Sequence, residues 1–476
     1  MSRNSGNLGS VFIEGVLPFK KTPINVLKRG VEYSPVGLLE TVTIGTKKLA
    51  SGQINGNEFI DRLSAGLTGT GISILGFLLS KLGYVDGSLG DEKDEKFRKS
   101  LGAQPYAIKI GNQSYTIDWL APASMPFFVG AEMQRVAEEL EGLNGRVIWD
   151  SAMNIMEPMT KMSMLDGLNG AISAVRYGED PLSDLFTNAV IDYIGQAVPT
   201  LFGQIARTID DTGRSTYIDK NSGVPDVMQK AFQKNRNKIP LLSQQSVAYR
   251  DVFGRAQSNP SMVSRAFQNM LSPGFLSQEK VGAMEQEMIR VYQATKDGEH
   301  CPIPSNAPKS FEVDKKTKYL TAEEYEKFAY SRGALMYSSL NELTQSKGYQ
   351  GLDDANKAKA ATKVISYATA AAKMEVSDYK PTGEYAKAIQ AWKEQKISFA
   401  QYALIQSAMP DKGLTDKNGE SIQNSKSLLM MDTLWNTPGL SEKQREYLYE
   451  DFKVSKKTRH YNKALVAQTL DKMRRE

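Results

Sequence analysis

The residue groups that could do chemistry are few, and each lacks a part that its chemistry needs. Gly71-Ile72-Ser73-Ile74-Leu75-Gly76 has the two glycines of a phosphate-binding loop at the right spacing. Phe77 and Leu78 follow, where such a loop needs a lysine for the phosphates and a hydroxyl for the metal. Gly69 and Gly71 fall short of the dinucleotide pattern in the same way. Asp211-Thr212-Gly213 matches the tripeptide around an aspartic-protease carboxylate. That reaction requires two carboxylates sharing a proton, and the polar flanks Asp210 and Arg214 instead predict a surface turn. His300-Cys301 offers a base beside a nucleophile, yet chain neighbours in a Pro-rich loop rarely face one substrate, and no third group orients them. Glu323-Glu324 and Asp353-Asp354 begin helices, where acidic side chains favour the positive end of the helix dipole. Residues 416–420 resemble a calcium loop, but a loop starting at Asp416 places Ser421 and Ser427 where glycine and glutamate belong. No catalytic, cofactor or metal site is expected.

The totals exclude further classes. The 476 residues include one cysteine, so no internal disulfide forms. The two histidines, His300 and His460, stand 160 positions apart, which leaves little for a histidine-based metal site. With 59 basic and 54 acidic residues the net charge is +5, a balance that does not by itself predict nucleic-acid contact. The first 21 residues have a short apolar run broken by Glu14 and no small-residue cleavage site, which predicts a protein not exported by the ordinary secretory route.

What stands out is apolar. Residues 63–80 (LSAGLTGTGISILGFLLS) carry no charge, are flanked by Arg62 and Lys81, and contain Gly66, Gly69, Gly71 and Gly76. Eighteen residues is the lower limit for a helix that spans a bilayer. The glycines weaken a helix in water, but they let helices approach closely in lipid or in a tight bundle. Residues 120–131 hold Pro122 and Pro126, which predicts an irregular packed corner. Residues 185–206 are long enough to span, but Asp192 and Pro199 favour a kinked helix buried in protein. Met153, Met156, Met159 and Met162 recur every three residues, as on a buried helix face or an adaptable interface. The candidate contacts with a membrane or partner are therefore Gly66, Gly69, Gly71, Ile74, Gly76, Phe77, Leu78 and those four methionines.

The surrounding elements read as mainly α. Thr22-Pro23 opens a helix, and Ser34-Pro35 opens another. Alternation on both sides of Gly111-Asn112-Gln113 predicts a β-hairpin over 106–119. Val129, Met133, Val136, Leu140 and Leu143 mark an amphipathic helix. Three capping boxes announce helices near the C-terminus: Thr321 with Glu324, Ser398 with Gln401, and Ser441 with Gln444. The expected layout is an apolar-rich helical domain with the hairpin over 1–215, with its apolar helices buried. A polar helical connector over 216–297, a Pro-rich linker over 298–320 and a helical bundle over 321–476 follow it.

Several stretches resemble the C-terminal region of large tailed-bacteriophage polyvalent or tape-measure-like virion proteins. They are residues 18–39 (PFKKTPINVLKRGVEYSPVGLL), the hairpin with 119–132 (WLAPASMPFFVGAE), 307–329 (APKSFEVDKKTKYLTAEEYEKFA) and 415–432 (TDKNGESIQNSKSLLMMD). The resemblance transfers no functional residue. It implies a non-enzymatic virion component, internal or tail-associated, that is released with the genome or assists its delivery. Other virion proteins, a second copy of the chain and the host membrane are its implied partners. Its implied locations are the particle, then the host envelope or cytoplasm. The rivals are a tape-measure-like tail module, which a long heptad region would favour, and an enzyme directed at cell wall or nucleic acid.

Overall fold

The computed structural model describes residues 29–120, 123–139, 200–258, 261–271, 274–296, 299–410 and 412–475. The chain is mainly helical, with one sheet of four strands and one of two among the described residues. It divides into two compact units: 1–218 with 223–247 and 258–280, and 219–222 with 248–257 and 281–476. The helix expected at Thr22-Pro23 and the methionines at 153–162 lie outside the described residues, as do Asp192 and Pro199.

In the first unit, the Ser34 side chain accepts the Gly37 amide at 3.2 Å and Pro35 takes the first helical position of α1, Pro35–Glu40. A π-helical turn, Thr41–Gly45, joins α1 to α2, Thr46–Ala50. Asn55 caps α3, Gly56–Lys81, by accepting the Glu58 amide at 2.8 Å. Strand β1 (Val85–Asp86), α4 (Glu92–Ser100), β2 (Ala107–Ile110), β3 (Gln113–Thr116) and α5 (Met125–Glu139) follow. The hairpin forms where alternation places it, pairing Ile110 with Gln113 around Gly111, whose φ of +64° suits a residue without a Cβ.

Two features depart from the sequence reading. Residues 125–131 form the start of a regular helix and not an irregular corner, because Pro126 falls in its first turn, where no amide is needed. That helix supplies Met125, Phe128, Val129 and Ala131 to a core shared with Val85 and Tyr106, and the Tyr106 and Phe128 rings meet edge to face at 5.3 Å. The hairpin also gains an outer strand. After α6 (Thr200–Ile209), α7 (Asp226–Arg236) and α8 (Met262–Met270), strand β4 (Leu276–Gln278) pairs antiparallel with β3, Ser277 facing Ser114. Three residues carry too little alternation to announce a strand.

The first described helix of the second unit is α9, Ala283–Thr295. Within the stretch read as linker, β5 (Ser310–Val313) pairs with β6 (Lys316–Tyr319). Asp314 and Lys315 both have positive φ, the geometry of the tightest hairpin turn. Phe311 on β5 packs against Phe328 of α10, Ala322–Gln345, at 5.4 Å between ring centres. Then come α11 (Lys347–Gln350), α12 (Asp354–Val376), α13 (Gly383–Lys393), α14 (Phe399–Ala408), α15 (Ser425–Asn436), α16 (Glu442–Asp451) and α17 (Lys463–Arg475). All three capping boxes form, each with the hydroxyl accepting one amide while the longer side chain accepts the other. Phe328, Met336, Leu340 and Leu343 of α10 are buried with Ala361, Val364, Tyr367 and Ala368 of α12 and Tyr402 of α14.

Candidate functional site

Several of the chemical candidates make local hydrogen bonds. Asp211 is exposed and bonded to its neighbour Thr212, while the buried carboxylate is Asp210. Asp210 accepts from Arg214 Nε and Nη2 at 2.9 Å, from Ser243 Oγ at 2.8 Å and from the Thr212 amide at 3.1 Å. Burial pushes its pKa up, but the bonds from Arg214, Ser243 and Thr212 outweigh that and hold it below the usual carboxylate value. Two loops are pinned together there. Cys301 lies 3.5 Å from the Ile303 carbonyl of its own loop. Asp416 accepts the amides of Asn418 and Glu420, which closes the predicted turn. Among the described residues no cluster of three or more metal-ligating side chains exists. A groove of about 620 Å³ between α6 and α8 is lined by Ile205, Ile209, Met262 and Met270 among others, and by no ionisable group.

The feature that remains is α3. It runs for 26 residues, and an 18-residue window within it has a mean hydropathy of 1.5 with only 22% of that window buried. Its two sides differ in a physically specific way. Gly66, Gly69, Ser73 and Gly76 recur at helical spacing and are buried. A Cβ on Gly69 would fall 2.3 Å from the Tyr33 carbonyl carbon, and one on Gly76 would fall 2.0 Å from the Phe127 oxygen. Across the contact, a Cβ on Gly130 of α5 would fall 1.7 Å from the Ser73 oxygen. Backbones meet at these points, so only hydrogen fits. The single proton of Ser73 Oγ is shared between Pro126 O at 2.7 Å and Gly69 O at 2.9 Å, which satisfies this buried hydroxyl in the crossing. Further along, Ser80 Oγ meets Gln134 Oε1 at 3.3 Å, and buried Glu132 accepts the amide and hydroxyl of Ser88 and a bond from Arg135.

The opposite side carries the bulk. Ile60, Leu67, Ile74, Leu75, Leu78 and Leu82 are each at least half exposed. Gly71 lies on this open side, with nothing within 4 Å of where its Cβ would stand, and Phe77 is half-buried. Of the residues singled out in the sequence, Gly66, Gly69 and Gly76 therefore touch protein, whereas Gly71, Ile74 and Leu78 face outward. Leu67, Leu75, Leu82, Ser73 and Gly130 complete the two sides. The phase of the small residues at 66, 69, 73 and 76 was the signal that divides them. Water-soluble helices turn large apolar side chains inward and polar ones outward. Here glycine and serine make the closest contacts with protein, with Leu79 packed against the core, while Ile60, Leu67, Ile74, Leu75, Leu78 and Leu82 face out, much as in helices that pack against each other in lipid.

Comparison with family models, with curated proteins and with solved structures returns no match to this chain.

Proposed function

We propose that the protein is a non-enzymatic virion component of a tailed phage, internal or tail-associated, that assists genome delivery and docks on the host membrane through the outer side of α3. The observation that carries the membrane part is the inverted polarity of that helix: glycine and serine against protein, and Ile60, Leu67, Ile74, Leu75, Leu78 and Leu82 outward. Moving six half-exposed side chains out of water releases on the order of 5 kcal/mol, enough for reversible attachment. The inner side is held to α5, which carries Glu132, Arg135, Glu138 and Glu139. A helix so tethered fits the plane of the membrane surface better than a crossing of it. The phage part is supported by the resemblance of residues 18–39, 119–132, 307–329 and 415–432 to virion proteins.

Flotation with vesicles of bacterial lipid composition tests the first part. The protein is expected to float, and replacing Leu67, Ile74 and Leu78 together by serine is expected to leave it at the bottom of the gradient. Equal flotation of the two proteins, or none of either, contradicts the docking surface. Mass spectrometry of purified particles tests the second part, since a virion component must be present in them at defined stoichiometry.

A further inference from the structure

The near-neutral balance of the chain hides a segregation of charge. Between Phe452 and Glu476 the sequence has eight basic and two acidic residues, a net of +6, against +5 for all 476 residues. The remaining 51 basic and 52 acidic residues cancel. This excess sits on one substructure of the second unit, because the single-turn helix Thr458–His460 and α17 both pack on α15.

Local structure leaves most of these charges unused. Arg459 pairs with Glu450 at 3.5 Å, and Arg475 pairs with Asp471 at 2.6 Å. Asp451, which precedes this stretch in the chain, is taken by Lys387 and by the Tyr402 hydroxyl. Lys453, Lys456, Lys457, Lys463, Lys472 and Arg474 are exposed, and among the described residues none of them has an ion-pair partner. The helix dipole accounts for Lys472 and Arg474 at the end of α17, where cations are favourable, but not for the four lysines that precede its first turn or stand in it. Like charges this close repel, and a polyanion removes that repulsion.

We infer that this face binds the phosphodiester backbone of a nucleic acid without reading its sequence. Val466 and Leu470 of α17 are buried, which leaves Leu465, 41% exposed, as the one large apolar side chain this helix exposes, too little to insert in lipid as surface-seeking helices do. What it presents is cations interspersed with exposed Asn462 and Gln468, side chains that bond phosphate oxygens. The spread suits the partner: α17 alone carries its cations over about 18 Å, along which duplex DNA offers about ten phosphate charges. This inference stands apart from the membrane surface of α3.

Fluorescence anisotropy of the full chain with a 20-base-pair duplex and with a single-stranded RNA tests it. If all six free cations engage, affinity falls about 1000-fold between 50 and 200 mM salt. The variant carrying Lys453→Gln, Lys456→Gln and Lys457→Gln should lose about 2.7 from the slope of log affinity against log salt, with an unchanged circular dichroism spectrum. Which probe binds more tightly identifies the polymer. Absence of binding to both at 50 mM salt overturns the inference, as does an unchanged slope in the triple variant. Binding that anionic vesicles abolish and that DNA cannot recover assigns the face to lipid and overturns it as well.

Discussion

Helix α3 meets protein through Gly66, Gly69, Ser73 and Gly76, whereas α12 meets protein through Val364, Tyr367, Ala368 and Ala371. Both helices are long, but they are held by different forces. At α3 the backbones touch, the crossing excludes side chains, and Leu67, Ile74, Leu75 and Leu78 are left outside. At α12 the interior is filled by side chains: Tyr367 lies within 6 Å of the rings of Tyr385, Phe399 and Tyr402, and its hydroxyl bonds Glu384. The second arrangement is that of a water-soluble core, in which burial of large side chains supplies the stability. The first withholds those side chains from the interior, and a surface left apolar in this way has a use only where something covers it.

The contrast can be broken first in the second unit. Phe328→Ala removes a fully buried ring that packs against Phe311 and should cost about 3–5 kcal/mol, read as an earlier denaturant midpoint in that unit. Hydrogen exchange resolved by residue should show the loss in 281–475 while α3 is unchanged. In the first unit, adding atoms should be what harms. Gly130→Ala sets a methyl group against the Ser73 carbonyl and should cost about 1–3 kcal/mol, with faster exchange in α3 and α5 alone.

Acid should also distinguish the two units. The folded pKa of Asp210 lies below its unfolded value of about 3.9, so its contribution is complete above that value and is lost as pH falls through the folded one. Asp210→Asn should therefore flatten the acid limb of first-unit stability below about pH 4, as followed by exchange or proteolysis. The smallest effect has the opposite sign. Gly71→Ala fills open space on the outer side of α3 and should stabilise that helix by about 0.5–1 kcal/mol. A loss of stability there would mean that the outer side is already packed.

Much of the second unit was legible in advance because its signals are local. Thr321, Ser398 and Ser441 stand three residues before their partners, and the faces over 325–343 and 361–371 repeat at helical spacing. The hairpin over 310–319 was not legible, since its turn uses Asp314 and Lys315 instead of the glycine or asparagine that announces two left-handed residues. In the first unit, the apolar run of α3 and the β2–β3 hairpin were plain. The partner of the glycines was not, because Gly130 lies 54 positions beyond Gly76 and only the fold brings Phe127 and Gly130 against that helix. The charge on α17 was hidden by summation over the whole chain. Asp210 was overlooked beside the more conspicuous Asp211-Thr212-Gly213, because burial and not residue type distinguishes the two carboxylates.

Membrane docking of this kind requires the outer side of α3 to enter lipid while the inner side stays on protein. In a Cys301→Ser background, Leu78→Cys on the outer side of α3 and Glu138→Cys on α5, an exposed position of the helix that covers the inner side, each provide one labelling site for an environment-sensitive fluorophore. With vesicles added, the label at 78 should shift to the blue and become protected from aqueous quencher, while the label at 138 stays unchanged. No shift at 78, or an equal shift at both positions, would contradict a one-sided membrane contact.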